Sequence, residues 1–547
     1  MMFVPGCSWT AARRRSPASF FQPAPPAGCP VHPRPLPPRR RPRRAHLLAS
    51  LHVPADSKVL KPRADAPLDR VVCKFGGSSL ADAERIVQAT KLVKMQLDSS
   101  RQYPVVVLSA MGSTTNDLLA AGEAALRDGV VDSTAVRHRA YDACEHLRLD
   151  REMLVEPLLV QLDQLLMGIK FIRELSPRTR DYLVSFGERL AVRVFAAHLL
   201  YNEGVPARHF DAFDVGFVTD SNFTNAEILS ETYDNVRRFF ERIIGVQTLP
   251  VITGFLGKDR HGHITTLGRG GSDLTATTLG AALGVTEVQV WKDVDGLLTT
   301  DPRIVPTAMP VADVAYEEAA EMAYFGAKVL HPVAMQPAMR FNVPVRVKNS
   351  YNPEAAGTVI RRRDAPPADR PVTAISVKRH IHLVDIVSTR MLGAHGFLAR
   401  VFACFATHQL SVDMVATSEV SLSLTLDQRA GHLERQDAIV HDLQEIAQVS
   451  FSSARAIVSI VSNVPKSSEI LARAMTALHR EQIEVQMISQ GASKFNISMV
   501  VSDGEAETAV RALHEEFFER VPPPATVTPA NGTAGETARR RTVKETR

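Results

Sequence analysis

Cysteine, aromatic residues and long apolar runs are all scarce in this chain of 547 residues. No stretch approaches the roughly 18 consecutive apolar residues of a transmembrane helix, so the sequence predicts no membrane association. A hydrophobic share of 45% and a charged share of 22% predict a globular protein, and the length predicts more than one domain. The five cysteines are odd in number and widely spread, which fits neither a disulfide framework nor a zinc site and favours a reducing compartment: Cys7, Cys29, Cys73, Cys144 and Cys404.

Acidic residues are absent from the first 55 positions, which instead hold nine arginines. Removing these nine charges changes the net charge from +5 to −4, so the rest of the chain offers little attraction for nucleic acid. An Arg-, Pro- and Ala-rich segment without acids is typical of a cleaved targeting sequence, and we predict a disordered transit peptide over residues 1–55. A basic arm that binds nucleic acid is the alternative interpretation.

Short β-branched runs alternate with amphipathic stretches between residues 69 and 350. This alternation predicts an α/β domain with a largely parallel central sheet flanked by helices. The predicted strands are 71–75, 105–108, 251–253, 288–291 and 343–347. Residues 141–174 carry Leu and Ile at helical spacing and predict helix, and a Pro-, Arg- and Asp-rich linker is expected at 361–371.

The last third of the chain contains an internal repeat. Leu398-Ala399-Arg400 recurs as Leu471-Ala472-Arg473, and Val412-Asp413-Met414 recurs as Val485-Gln486-Met487, both displaced by 73 residues. Each copy predicts a strand, a loop, a helix and two further strands. We therefore expect two small modules over 376–450 and 455–520, with chance similarity as the alternative, and then a disordered tail over 521–547.

Glycine-rich turns follow several predicted strands. The first, Lys74-Phe75-Gly76-Gly77-Ser78-Ser79, combines close backbone N–H groups, a helix N-terminus and a lysine, which suits phosphate. It lacks the Walker A spacing, and a strand that ends in a lysine and a glycine turn is also an ordinary structural feature. After the second strand, Ser109 and Thr115 suit a ligand at the carboxyl edge of the sheet, or alternatively cap the next helix.

Charged residues accompany the later turns. In Gly268-Arg269-Gly270-Gly271-Ser272-Asp273, the arginine suits a carboxylate, and Asp273 either serves the site or complements the dipole of the helix that begins there. Glu188 suits a substrate ammonium, or is a plain first-turn charge. The last motif contains Lys292, Asp293 and Arg303. Its acidic residues suit a metal-bound nucleotide and its basic residues suit phosphate, although its turns alone predict only simple loops.

Together these segments resemble the aspartate kinases of the amino-acid kinase fold family. The matching blocks span roughly residues 70 to 515: KFGGSS, SAMGSTTN, SFGERL, GRGGSDLTA, WKDVDGLLTTDPR, AYFGAKVLHP, GFLARVF and SVDMVATSEVS. The resemblance implies an amino-acid kinase α/β fold followed by two ACT modules of the ferredoxin-like βαββαβ type. It also implies conversion of ATP and L-aspartate to ADP and 4-phospho-L-aspartate, the first step of lysine, threonine and methionine biosynthesis.

The resemblance assigns roles to individual residues. Lys74 and Asp273 are implied to be catalytic, Lys74 by neutralising the transferring phosphoryl group and Asp273 by ordering the site around the phosphates and Mg²⁺. The implied ATP-binding residues are Lys74, Gly77, Ser109, Lys292, Asp293, Arg303, Lys328 and Val329. The implied aspartate-binding residues are Thr115, Glu188 and Arg269. A carboxylate with a pKa near ~4 is already ionised at pH 7, so no general base is needed, and His331 is expected to be structural or to lie beside the nucleotide.

ACT modules bind amino acids between paired copies, so the resemblance implies a homodimer or larger homo-oligomer with an inhibitory amino acid as ligand. The implied effector site comprises Met391, Phe397, Leu398, Val412 and Asp413, with Asp413 suited to an ammonium group. Lysine is the expected effector. Gly393-Ala394-His395 departs from the lysine-sensitive pattern, which leaves threonine, or synergy with S-adenosylmethionine, open. The biosynthetic role implies the plastid or chloroplast stroma.

Two other functions compete with this one. The first is a kinase of the same fold that acts on glutamate, N-acetylglutamate or a nucleotide, and the SFGE and GRGGSD blocks with tandem ACT modules argue against it. The second is a catalytically inactive amino-acid sensor, against which the intact residues Lys74, Glu188, Arg269 and Asp273 argue. No Rossmann fingerprint follows the repeat, so a monofunctional enzyme is expected.

Overall fold

The computed structural model describes residues 69–99, 102–243, 248–324, 330–363, 371–427, 433–462, 467–491 and 493–520. The predicted transit peptide, the predicted tail, most of the predicted linker, and the predicted nucleotide residues Lys328 and Val329 lie outside this part of the chain. Within it, no helix has the length and apolar character that crossing a membrane requires.

The first region is built from alternating strands and helices. Its strands are β1 (Asp69–Phe75), β2 (Gln102–Leu108), β3 (Ala207–Phe210), β4 (Val218–Thr219), β5 (Leu249–Thr253), β6 (Leu256–Asp259), β7 (Ile264–Thr266), β8 (Glu287–Lys292), β9 (Asp313–Ala315), β10 (Val345–Asn349) and β11 (Thr358–Arg361). Its helices are α1 (Ala83–Ser99), α2 (Thr114–Arg127), α3 (Thr134–His146), α4 (Arg151–Leu154), α5 (Glu156–Ile172), α6 (Pro177–Tyr201), α7 (Ala212–Val215), α8 (Glu231–Ile243), α9 (Gly271–Leu283), α10 (Tyr316–Tyr324) and α11 (Pro332–Phe341).

The main sheet confirms the predicted α/β fold. Its order is β3-β5-β2-β1-β8-β10-β11-β9, and the first six of these strands are parallel. In β1, Val71, Cys73 and Phe75 face one hydrophobic core while Val72 faces another. Because both faces of the sheet are buried, the strands β2 and β5 contain continuous buried apolar runs, whereas β10 alternates buried and half-buried residues. β4, β6 and β7 form a separate small sheet beside it.

The helix predicted over residues 141–174 is interrupted. α3 ends at His146, and Arg148 adopts a left-handed φ of 53°. Asp150 then caps α4, where its carboxylate accepts a hydrogen bond from the Met153 N–H at 3.3 Å. Leu147 and Leu158, on either side of the break, are buried in the same core. The apolar spacing therefore continues through the interruption and conceals it.

The second region is a six-stranded antiparallel sheet in the order β13-β14-β12-β15-β17-β16. Its strands are β12 (Ala374–Val387), β13 (Val412–Thr417), β14 (Ser421–Asp427), β15 (Gln448–Val461), β16 (Met487–Gln490) and β17 (Asn496–Ser502). Its helices are α12 (Phe397–Thr407), α13 (Leu433–Leu443), α14 (Ser467–Arg480) and α15 (Ala506–His514).

Two βαββαβ modules share this sheet, and one is inserted into the other. The first module is continuous over residues 381–452 and uses the later half of β12 and the earlier half of β15. In the second module, residues 374–378 pair with the end of β15, which pairs in turn with β17. The second module, residues 374–378 with 455–514, thus takes its fourth strand from sequence that precedes the first module. The sequence repeat alone did not reveal this exchange of a strand. Similarity between the two copies identifies the repeated segments, but it does not show which strands pair with each other.

Candidate active site

The candidate site lies where the parallel strands of the main sheet end. Phe75 in β1 stands in register with Leu108 in β2 and Trp291 in β8, and Leu108 stands in register with Thr253 in β5. The loops that follow these strands therefore emerge side by side. Ligands of open α/β sheets bind in the crevice outside such strand ends.

A buried charge cluster marks this edge. Lys74, one residue before the end of β1, places its Nζ 2.6 Å from Oδ1 of Asp273 in the first turn of α9. Lys292 at the end of β8 places its Nζ 3.9 Å from Oδ2 of the same carboxylate. Burial lowers the pKa of Lys292, and Asp273 opposes that change. Two ammonium groups on one carboxylate leave a net positive centre, which suits a polyphosphate.

The turn after β1 packs against the turn after β2. The Gly112 N–H donates to the Gly77 carbonyl oxygen at 3.1 Å. A Cβ on Gly77 would lie only 3.0 Å from the Ala110 carbonyl oxygen, so a side chain there would push the two turns slightly apart. Ser109 follows β2 at half-buried depth, with its N–H donating to the Phe75 carbonyl oxygen at 3.2 Å. Predicted residues Gly77 and Ser109 thus share one edge with Lys74.

Glu188 faces the same turn from α6. It lies in the middle of that helix, so the first-turn interpretation is wrong. Its Oε1 accepts from the Ala110 N–H at 3.2 Å, while Oε2 has no hydrogen-bond partner in the described part of the chain. Burial raises the pKa of Glu188 to about 8, and the Ala110 N–H and Lys74 partly offset that rise. A buried carboxylate with one free oxygen is suited to a ligand ammonium.

Arg269 and Thr115 stand at the rim of the site. Arg269 is exposed, and no carboxylate pairs with it among the residues that the structure describes. It sits between glycines with left-handed backbone; Gly270 has a φ of 79°, and a Cβ there would lie 2.4 Å from the Cβ of His331. Burial, then Arg269, lower the pKa of His331. Thr115 is half-buried in the first turn of α2.

Phe255 is a site residue that the sequence did not indicate. Its φ is 67°, and its N–H is held by the Thr275 hydroxyl at 3.0 Å. Its ring packs so close to Gly271 that a Cβ on that glycine would lie 2.7 Å from the ring. The left-handed backbone conformation of this phenylalanine is a property of the folded chain, and neither composition nor motif spacing predicts it.

Asp181 was also missed. It is buried in α6 and accepts hydrogen bonds from the Thr224 N–H at 2.9 Å and the Thr266 hydroxyl at 2.7 Å. These bonds fix the loop that carries Asn225, whose side chain packs against Gly268 beside Arg269. Asp181 thereby positions, without touching it, the turn of residues 268–270 that carries Arg269, here called the arginine turn.

Two of the predicted nucleotide residues are exposed to solvent. Asp293 is exposed just beyond β8. Arg303 is also exposed, and its guanidinium binds Asp301 at 2.6 Å rather than the Lys74 cluster. The loop that carries Arg303 is docked on the second module, where Thr299 Oγ1 lies 2.9 Å from Nε2 of His514. The Arg511 side chain also donates to the backbone of this loop.

The five predicted effector residues divide into two groups. Met391, Phe397 and Val412 pack in the core of the first module, and Leu398 beside them is 38% exposed. Asp413 instead turns toward the first region, where its Oδ1 accepts a hydrogen bond from the Tyr324 hydroxyl at 2.9 Å. Asp413 also lines a cavity of about 510 Å³ between α10 and the antiparallel sheet.

Comparison with known proteins gives two family matches. The amino acid kinase family matches residues 69–349, and an ACT domain family matches residues 458–517. Aspartokinase 1, chloroplastic, of Arabidopsis thaliana is 50% identical over 461 residues, which cover 82% of this chain and 80% of the relative. Lysine-sensitive aspartokinase 3 of Escherichia coli is 36% identical over 469 residues, which cover 82% of this chain and 99% of the relative.

Solved structures agree with these relatives. Escherichia coli aspartokinase III in complex with lysine and aspartate, described as the T-state, superposes with a TM-score of 0.68 at 33% identity and covers 82% of this chain and 99% of its own. The same enzyme in complex with aspartate and ADP, described as the R-state, gives a TM-score of 0.66 at 32% identity, covering 82% and 100%.

Proposed function

The chain belongs to the aspartokinase family and is an aspartate kinase with ACT regulatory domains, and on that premise we propose which residues carry out and regulate the transfer. The observation that carries the proposal is the buried contact of Lys74 with Asp273 at the carboxyl edge of the sheet, with Lys292 beside it. Lys74 and Lys292 neutralise the phosphates of ATP, and Asp273 holds both ammonium groups in position.

The transfer needs positioning and charge neutralisation rather than proton removal. The side-chain carboxylate of aspartate is ionised at pH 7, so one of its oxygens attacks the terminal phosphorus directly. The bond from that phosphorus to the bridging oxygen breaks, and ADP leaves with the electron pair. Lys74 stabilises the charge on the transferring group, while Gly77 and Ser109 line the path of the phosphates.

The oxygen donors of the site fit a Mg²⁺ ion that arrives with ATP. Mg²⁺ commonly uses one or two carboxylates together with substrate phosphates and water. Asp273, which Lys74 already contacts, and Asp293, which is exposed at the same edge, are the residues that would hold the metal. When bound, the ion contributes further neutralisation of phosphate charge.

Aspartate is proposed to bind between the α6 helix and the arginine turn. The free Oε2 of Glu188 accepts the α-ammonium group, and Arg269 takes a carboxylate in a bidentate contact. Thr115 completes the site from α2. This arrangement distinguishes aspartate from N-acetylglutamate, whose blocked amine offers no positive charge to Glu188.

Regulation and location follow the relatives. Lysine is proposed as the inhibitory ligand of the ACT region, because the Escherichia coli relative is named as lysine-sensitive and its T-state structure holds lysine. A homodimer or larger homo-oligomer is proposed, in which effector binding acts through two global states. The chloroplast stroma is proposed as the location, because the Arabidopsis relatives are named chloroplastic.

A coupled ADP-release assay tests this proposal. Residues 56–547 are assayed with ATP, Mg²⁺ and aspartate, glutamate or N-acetylglutamate, each with and without lysine or threonine. Aspartate-dependent turnover that lysine suppresses is the expected result. Turnover with glutamate would indicate a sister kinase, and ligand binding without turnover would indicate a sensor.

A further inference from the structure

Three polar side chains lie along one face of α10. Glu318, Glu321 and Tyr324 are spaced three residues apart, which places them on the same side of a helix. Each of the three contacts a different part of the chain beyond the main sheet. α10 is therefore held at Glu318 by the segment that leads to the regulatory region, and at Glu321 and Tyr324 by the regulatory modules themselves.

The first two contacts anchor the helix. Nη2 of Arg363 donates to both oxygens of Glu318, at 2.9 and 2.8 Å, and the Thr373 hydroxyl donates to Oε1 at 2.8 Å. The side chain of Glu318 is fully buried, so this ion pair is poorly screened. The Asn496 amide in the second module donates to Oε2 of Glu321 at 3.0 Å.

The third contact joins the last residue of α10 to the first module. The Tyr324 hydroxyl donates to Oδ1 of Asp413, and the ammonium group of Lys378 in β12 binds Oδ2 of the same carboxylate. Lys378 also lies 3.4 Å from Oδ2 of Asp427 and 5.5 Å from the centre of the Tyr324 ring. The side chains of Asp413 and Lys378 are only 7% and 12% exposed, which strengthens their attraction.

The cavity described above gives a ligand access to this carboxylate. Its wall includes Asp413, Tyr324, Glu321 and Asn496, together with Ser489 of β16 and Ser498 of β17. Two carboxylates and several hydroxyl and amide groups favour a small molecule that carries an ammonium group. At the end of this cavity, the ammonium group of Lys378 already binds the carboxylate of Asp413.

We propose that Lys378 is a tethered competitor of the effector at Asp413. In the effector-free enzyme its ammonium group holds the carboxylate, and an amino acid with a side-chain ammonium displaces it through the cavity. Asp413 then releases the Tyr324 hydroxyl at the end of α10. This inference rests on the proposed regulation by lysine and names the group that the effector must displace.

The position of α10 in the sequence links Tyr324 to residues proposed for the active site. Tyr324 is its last residue, and the predicted nucleotide residues Lys328 and Val329 follow within five positions in the sequence. The chain then reaches His331, which packs against Gly270 next to Arg269. Tyr324 thus lies near, in sequence, both the predicted nucleotide-binding residues and His331.

The first test compares Lys378→Met with Lys378→Arg in the enzyme of residues 56–547. Methionine keeps the length and removes the charge, so the lysine concentration for half-inhibition should fall at least about fivefold, with tighter binding by calorimetry. Arginine keeps the competing charge and should stay within about twofold of the unaltered enzyme. An unchanged or raised half-inhibition concentration in Lys378→Met would overturn the proposal.

The second test separates binding from coupling. Tyr324→Phe removes only the hydroxyl contact, so lysine should still bind while the activity that remains at saturating lysine rises at least about threefold. Tyr201→Phe, at the exposed end of α6, is the matched control and should behave like the unaltered enzyme. Full inhibition of Tyr324→Phe would contradict the coupling role.

A third readout does not depend on the identity of the effector. Hydrogen exchange of α10 without any amino acid should be at least about fivefold faster in Tyr324→Phe and in Asp413→Asn than in the unaltered enzyme. Here we call the Tyr324–Asp413 contact at the end of α10 the latch. Faster exchange in an enzyme that does not respond to lysine would support the latch and would show that lysine is not its ligand. Unchanged exchange would reject the latch whatever lysine does.

Discussion

Lys74 and Glu188 illustrate how burial changes the role of a single charge. Lys74 is buried against Asp273, whereas Glu188 is buried with one carboxylate oxygen unpaired among the described residues. A paired charge is stable where it stands and presents its field to an incoming anion. An unpaired buried carboxylate is unfavourable until a cation arrives. Lys74 is therefore suited to the phosphates of ATP, and Glu188 is suited to the ammonium group of aspartate.

Lys74→Ala should lower kcat about 10²- to 10³-fold, the usual cost of removing one group that stabilises transition-state charge. The coupled ADP-release assay measures this. Lys94→Ala is the control, because Lys94 in α1 also pairs with a carboxylate, that of Glu203, at 2.9 Å and is not among the proposed site residues. Full activity of Lys74→Ala would remove Lys74 from the proposed mechanism.

Glu188→Gln should make the ligand-free enzyme more stable at alkaline pH. The native pKa of about 8 lies above the ordinary value of 4.5, so between these pH values the unfolded chain loses a proton that the native state retains. The unaltered enzyme thus loses stability as pH rises through this window, and the glutamine variant does not. Melting temperatures at pH 5 to 9 should show a gap that widens up to pH 8 and then levels off. The exposed Glu84→Gln should show no such trend.

The same variant should lose affinity for aspartate. Glutamine cannot supply the negative charge that the α-ammonium group requires, so KM for aspartate should rise at least about tenfold while KM for ATP changes little. A rise in the KM for ATP alone would place Glu188 with the nucleotide instead.

At the scale of elements, the turns decide how closely the helices approach the strand ends. α9 and α11 meet where Gly270 faces His331, and the left-handed backbone of Gly270 makes that approach possible. The sequence predicted the glycine turns, the strand ends and the first-turn position of Asp273, because each has a local signature. It did not predict the break after α3, the mid-helix position of Glu188 or the role of Phe255, since each depends on packing between distant segments.

Gly270→Ala should reduce both stability and activity. Its Cβ would lie 2.4 Å from the Cβ of His331, so Arg269 and Asp273 on either side of it must shift. We expect kcat/KM for aspartate to fall at least about tenfold. Gly262→Ala is the matched control, since it has a φ of 89° and nothing within 4 Å of the new methyl group. The control should lose only the roughly 1–2 kcal/mol of a left-handed alanine.

At the scale of the whole molecule, the second module supports the loop that carries Arg303. Ile304 and Val305, next to Arg303, pack in the core of the second module, and Thr299 contacts the buried His514. The loop therefore takes its position from a module far along the chain. Local motif spacing predicted a nucleotide role for Arg303, but it could not indicate that the loop carrying Arg303 depends on a distant module.

His514→Ala should raise the KM for ATP several-fold without touching the nucleotide. It removes the partner of Thr299 and leaves a cavity under the loop, at a stability cost of about 2–4 kcal/mol. Steady-state kinetics with varied ATP and a thermal melt measure the two effects. His479→Ala, at the exposed end of α14, is the control. An unchanged KM for ATP would show that the docked loop does not contribute to the nucleotide site.

The inserted module also has a consequence for synthesis on the ribosome. Residues 374–378 leave the exit tunnel before the first module, yet their partners at the end of β15 emerge only after that module is complete. The first module can fold while its neighbour is still unfinished, and the waiting strand must stay unpaired until then. Ribosome-bound chains stalled between the two modules should therefore carry a protease-resistant first module and a protease-sensitive segment just ahead of it.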